Sequence, residues 1–217
     1  MKFLVKTFSF FILVLAALSA VGYFFWYRPK FDHNVMYKSS VHKNEFESAT
    51  LIRLKQKAAV ARLYNSNAGY DEERCFLIDM RVASGKKRFF VYNTQRDSIE
   101  TAGLVTHGSG SDTGKEELYF SNTPNSNCTS LGKYKIGNAY NGRFGLAFKL
   151  YGLEKSNSKA FERFVVLHAH NCVPENEVNP LPICESWGCP TISPTFLTVL
   201  KKYINDTEKP ILLWIYY

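Results

Sequence analysis

The first pattern along the chain is an uncharged run from Phe8 to Tyr27, preceded by Lys2 and Lys6. Its length is about the 20 residues that a helix needs to cross a bilayer. Tyr23, Phe24, Phe25, Trp26 and Tyr27 crowd its far end, as an interfacial belt would. The run therefore predicts an uncleaved anchor over residues 1–27, with the two lysines in the cytoplasm and the rest of the chain on the far side. Ala17-Leu18-Ser19 supports the competing reading, a cleaved signal peptide. Arg28 to Lys43 has no apolar period, so residues 28–47 read as a linker. Ser48 caps a helix to about Tyr64, with Leu51, Leu54, Ala58 and Ala61 on one face.

Beyond that helix the period shortens. Cys75 to Met80, Arg88 to Tyr92 and Ile99 to His107 read as strands of one antiparallel meander. From Gly108 to Ser130 the sequence is rich in Asn, Ser and Thr without a period, which predicts a long surface loop serving as a wall or lid. Lys133 to Ile136 and Phe144 to Leu150 are further strands, and Glu154 to Phe161 is a short helix. Val165-Val166-Leu167 is a buried strand that delivers His168 to a sheet edge. Ser193 caps and Pro194 opens a helix through Ile204, and Ile211 to Tyr217 is a last apolar strand inside the sheet. Residues 48–217 thus form a single domain, mainly β with a few helices, its strands arranged as two packed sheets.

Charge and cysteine content narrow the function classes. The formal charge is +8 over 217 residues. The excess is scattered, with no basic run to track a phosphate backbone, so no nucleic-acid partner is expected. A polyanionic surface or a carboxylate-bearing substrate suits the balance. Five cysteines in an exported chain leave at least one thiol free. Cys172 and Cys184 bracket a proline-bearing loop and are a candidate disulfide, while Cys75 and Cys128 either pair or remain small buried hydrophobes. Nothing in the pattern specifies an oligomeric state.

The candidate chemistry gathers between Arg163 and Ser193. Cys189 follows Gly188 at the tip of a tight turn, and His168 ends a strand, with twenty residues between the two. A thiol and an imidazole are the parts of a cysteine nucleophile, with the imidazole lowering the thiol pKa. The backbone amides of Gly188 and Cys189 are candidates for an oxyanion hole. The alternative is a structural or disulfide-bonded Cys189. A zinc site from His168, His170, Cys172, Cys184 and Cys189 lacks the paired-cysteine spacing of structural zinc, so no metal and no cofactor are expected. His107, Arg163, Trp187 and His170 are candidate substrate contacts, His170 as a polar residue at the mouth.

Several spaced segments carry a resemblance. Ser186-Trp187-Gly188-Cys189 with His168 resembles the signature of the L,D-transpeptidases, YkuD-like cysteine enzymes that cross-link bacterial peptidoglycan. Ser84 to Phe89, Val105 to Ser111, Phe120-Ser121-Asn122, Ser130 to Tyr134 and Gly152-Leu153-Glu154 are similar too, extending the likeness over about 79–217. Trp187 stands where many members carry histidine. The resemblance implies a β-sandwich-like fold and a thioester on Cys189 formed with a peptidoglycan tetrapeptide stem, releasing D-alanine and linking two diamino acids. It also implies a place on the periplasmic face of the inner membrane. Capture of the thioester by water, as in an L,D-carboxypeptidase or hydrolase, and a non-catalytic cell-wall-binding module remain the alternatives.

Overall fold

The computed structural model describes residues 15, 17–21, 23, 33–115 and 117–217, with 33–46 as backbone alone. The run from Phe8 to Tyr27 lies largely outside them, and among the described residues no helix is long and apolar enough to cross a membrane. The chain divides into two compact units, Met1–Ala49 and Thr50–Tyr217. Helix α1, His33–Ala68, begins inside the segment whose polar composition reads as a linker. No Pro or Gly interrupts residues 33–47, and their few apolar residues form no helical stripe.

In the second unit eight strands form one sheet: β1 (Arg74–Asp79), β2 (Phe89–Asn93), β3 (Ser98–Gly103), β4 (Gly132–Gly142), β5 (Gly145–Gly152), β6 (Val166–Ala169), β7 (Thr191–Ile192) and β8 (Leu212–Tyr216). Their order is β3-β2-β1-β8-β4-β5-β6-β7. The β1-β2-β3 meander is antiparallel, whereas β8 runs parallel to β1 and β7 parallel to β6. The two packed sheets that the strand pattern predicts are therefore one sheet. Its edge strands are β3 and β7, and just past β3 the chain bridges back to β7 through Val105 and Ile192, with the Thr106 amide donating to the Thr191 carbonyl at 2.9 Å. The sheet curls until its edges meet, which removes most of the open edge a flat sheet would expose.

Strand alternation sorts the apolar side chains onto two faces. Phe76, Ile78, Phe89, Val91, Leu213 and Ile215 fill one core with Phe196, Leu197 and Leu200 of helix α2, Pro194–Asn205. Their neighbours Cys75, Leu77, Phe90, Tyr92, Leu212 and Trp214 pack on the other side against Leu54, Ala58 and Ala61 of α1. Strands covered on both faces read as unbroken apolar runs, as Leu212–Tyr216 does. Ser193 caps α2, its Oγ accepting from the Phe196 amide.

The segment from Glu154 to Phe161 is a series of turns, not a helix. Asn157 is the cause: its Oδ1 accepts from the Glu154 amide at 2.9 Å and its Nδ2 donates to the Lys133 carbonyl at 2.8 Å, so side-chain bonds replace the helical ladder. The loop after Gly108 is tied down. The Thr129 amide donates to Ser111 Oγ and the Gly108 amide to Thr129 Oγ1, both at 2.9 Å.

Candidate active site

The register of β6 and β7 brings the two candidate groups together. His168 pairs with Thr191 in the parallel ladder, so Cys189, two residues before Thr191, falls level with Val166. The Val166 amide donates to Cys189 Sγ at 3.5 Å. The thiol in turn donates to the Phe164 carbonyl at 3.7 Å. Phe164 has φ +55, a left-handed conformation that is costly for a bulky residue. Phe164 is 83% exposed, so no packing of its ring accounts for that conformation.

His168 Nδ1 lies 3.1 Å from the Ala169 carbonyl, and Nε2 lies 3.0 Å from Thr191 Oγ1. A carbonyl only accepts, so Nδ1 carries the proton and the Thr191 hydroxyl donates to Nε2. The basic nitrogen is thereby fixed as Nε2. No hydrogen bond joins the imidazole to the thiol, although both line one cavity. Burial pushes the Cys189 thiol up, against the opposing Val166 amide and Arg163 charge. Burial also pushes His168 down, helped by His170 and opposed by the Ala169 bond. Both shifts favour the uncharged form, of the thiol and of the imidazole alike.

The turn before Cys189 is held tightly. Gly188 has φ +106, and a Cβ there would lie 2.7 Å from the Cys128 carbonyl oxygen. Ser186 Oγ donates to the Cys189 carbonyl at 2.6 Å and accepts from the Gly188 amide at 3.2 Å. Thr106 Oγ1 donates to the same Cys189 carbonyl at 3.2 Å. The Gly188 amide, one of the two candidate oxyanion donors, is thus bonded within the turn.

The cavity has a volume of about 550 Å³, and its lining includes Phe144, Arg163, Phe164, His168, Trp187 and Cys189. A space of this size suits a small peptide segment. Phe144, from the turn between β4 and β5, stacks on His168, and its edge meets His170 at 5.6 Å.

A family model for the L,D-transpeptidase catalytic domain matches residues 40–216. The chain belongs to the L,D-transpeptidase catalytic-domain family. Solved structures with a similar trace include Bd1075 of Bdellovibrio bacteriovorus, at 19% identity over 65% of this chain and 48% of that one, with a TM-score of 0.40. The helical cell shape determining protein Pgp2 of Campylobacter jejuni, as its K307A mutant, gives 12% identity over 67% and 48%, with a TM-score of 0.42. An L,D-transpeptidase fragment from Xylanimonas cellulosilytica gives 14% over 71% and 68%, with a TM-score of 0.37. This chain spans about half the length of the Bdellovibrio and Campylobacter chains. No curated relative matches it.

Within this L,D-transpeptidase domain the remaining candidates occupy different places. Trp187 is 77% exposed at the rim. His170 is exposed beside it, its Nδ1 accepting from the Cys172 amide at 3.2 Å. Cys172 and Cys184 form a disulfide, which withdraws both from any ligand set. Cys75 and Cys128 are free and buried. Arg163 faces the cavity, and its guanidinium donates to the Ser121 and Cys128 carbonyls at 2.9 and 2.6 Å, so it pins a wall of that cavity. His107 is buried outside the cavity lining. Thr191 and Phe144 escape sequence reasoning. The glycines on either side of Arg143-Phe144 signal a hairpin tip, but not which side chain it lays over His168.

Proposed function

We propose that the chain is a cysteine L,D-transpeptidase acting on peptidoglycan tetrapeptide stems. The observation that carries the reading is the β6–β7 register, which sets Cys189 Sγ on the Val166 amide, two residues from His168 on the same strand. In the reading, His168 Nε2 turns from Thr191 to take the thiol proton as sulfur attacks the carbonyl before the terminal D-alanine. The Cys189 amide steadies the oxyanion. The C–N bond breaks, the leaving amine takes the proton from His168, and a thioester remains. A side-chain amine of a second stem attacks it, forming a new amide, while the departing sulfur regains its proton through His168.

The uncharged run from Phe8 to Tyr27 supports an anchor that holds the domain on the periplasmic face of the inner membrane. Product analysis with purified tetrapeptide muropeptides tests the activity. Free D-alanine together with cross-linked dimers is the expected outcome. Tripeptide without dimers would replace the transferase by a hydrolase, and no D-alanine would remove the reading altogether.

A further inference from the structure

The turn that leads into β6 closes in a way that ordinarily calls for glycine. The Val165 amide donates to the Ala160 carbonyl at 2.9 Å, and the Phe164 amide donates to the Phe161 carbonyl at 3.1 Å. Together the two bonds make a Schellman motif, whose left-handed position is usually Gly and sometimes Asn. Here that position is Phe164, with φ +55. The apolar side chains that flank such a motif are Ala160 and Val165, both buried in the same core. Both closing bonds are backbone bonds, so glycine would close the turn without the steric cost that a Cβ brings to this conformation.

The Phe164 ring therefore adds nothing to the turn, and being exposed it adds nothing to the core. It does line the cavity that contains Cys189. Its place there is tied to the nucleophile, because the Phe164 carbonyl accepts from the Cys189 thiol. One residue thus touches the sulfur through its backbone and offers a bare aromatic face through its side chain. Trp187 is the counterpart on the second chain segment. It lines the same cavity, is also exposed, and stands two residues before Cys189. The bonds that hold its turn run between Ser186, Gly188 and Cys189 and leave the indole out.

Two large rings left in water at one cavity, one of them at a conformational cost, are binding surface. Such rings take apolar groups and the flat faces of amides. We propose that Phe164 is a substrate-binding residue: with Trp187 it clamps the peptide segment whose carbonyl Cys189 attacks, packing on its aliphatic and amide faces and not on its charged ends. The identity of that segment as a tetrapeptide stem rests on the transpeptidase reading. The strain at φ +55 is then the cost of keeping a ring beside the sulfur where glycine would suit the fold better.

The test is calorimetry on the full chain bearing Cys189→Ala, with a tetrapeptide stem as the probe. Phe164→Gly removes the ring and leaves a residue at home in the left-handed region, so the Tm should hold or rise. Affinity for the stem should nevertheless fall about tenfold, as when one large apolar side chain loses its contact. Phe164→Asn, which also tolerates this conformation, should behave alike. Phe164→Tyr keeps the ring and should bind as the unsubstituted chain does, whereas Trp187→Ala should lose affinity. Unchanged affinity in either Phe164→Gly or Trp187→Ala overturns the proposal. So does a joint fall of Tm and affinity in the Gly and Asn variants, which would make the ring part of the fold. No binding of the stem to Cys189→Ala overturns it too, and the transpeptidase reading is then judged separately by the wild-type chain's release of D-alanine. Binding that depends on Phe164 in a chain that releases no D-alanine would keep the clamp and sink the transpeptidase reading.

Discussion

Phe144 lies over His168, with ring centroids 5.2 Å apart and planes 19° from parallel. The pair joins the tip of the β4–β5 hairpin to the edge of the sheet and keeps water from one side of the imidazole. Burial is the main reason His168 sits below its ordinary pKa. In Phe144→Ala solvent reaches the ring, the imidazolium is penalised less and the pKa rises. Because the reaction needs the unprotonated base, the acidic limb of D-alanine release against pH should move to higher pH. A limb that stays in place would show that Phe144 does not shield His168.

Gly188 is required by its conformation and by its neighbours. Gly188→Ala puts a Cβ at φ +106, 2.7 Å from the Cys128 carbonyl and 3.2 Å from Arg163 Nη2. Strain of this kind costs about 1–3 kcal/mol. Thermal unfolding should show a loss of that order. Alkylation of Cys189 by iodoacetamide should slow as the turn shifts, and an unchanged Tm would contradict the account.

Arg163 ties the loop wall to the cavity through two backbone carbonyls. Arg163→Met removes both bonds, and with the group only half-buried the expected loss is about 2 kcal/mol. The Arg163 charge also holds the Cys189 thiol lower than burial alone would leave it. The pH midpoint of Cys189 alkylation should therefore rise in Arg163→Met. A midpoint unchanged or lowered would mean that the charge does not reach the thiol.

His107 makes stability depend on pH. Its folded pKa of about 4 lies below the ordinary 6.5, so between those values the unfolded chain binds more protons. The contribution is complete above pH 6.5 and is lost as pH falls toward 4, by on the order of 3 kcal/mol. Urea unfolding at pH 7 and 4.5 should show this loss, and His107→Gln should flatten the slope. An equal slope in both proteins would place the acid sensitivity elsewhere.

Much of this arrangement is legible in the sequence because local chemistry dictates it. The Ser193-Pro194 start of α2, the meander and the apolar final strand follow from capping and periodicity. Single-sheet closure through Val105 and Ile192 is not legible, since a bridge of one residue pair leaves no period. The start of α1 at His33 is hidden because a polar helix has no apolar stripe. At the site, a strand-borne His168 and a glycine-turn Cys189 are readable from spacing. Their protonation is not, for it depends on burial and on the Ala169 carbonyl and Thr191 hydroxyl, which only the folded register supplies. The two backbone carbonyls on Arg163 are hidden in the same way, since only the fold brings Ser121 and Cys128 to its guanidinium.

The most direct test of the central claim is intact-protein mass spectrometry of the chain mixed with a tetrapeptide stem and quenched in acid at short times. The account predicts a mass increase equal to the stem minus D-alanine, located on Cys189 after digestion, absent in Cys189→Ala and slowed in His168→Gln. An unmodified wild-type chain in the presence of released D-alanine, or an adduct that persists in Cys189→Ala, would contradict it.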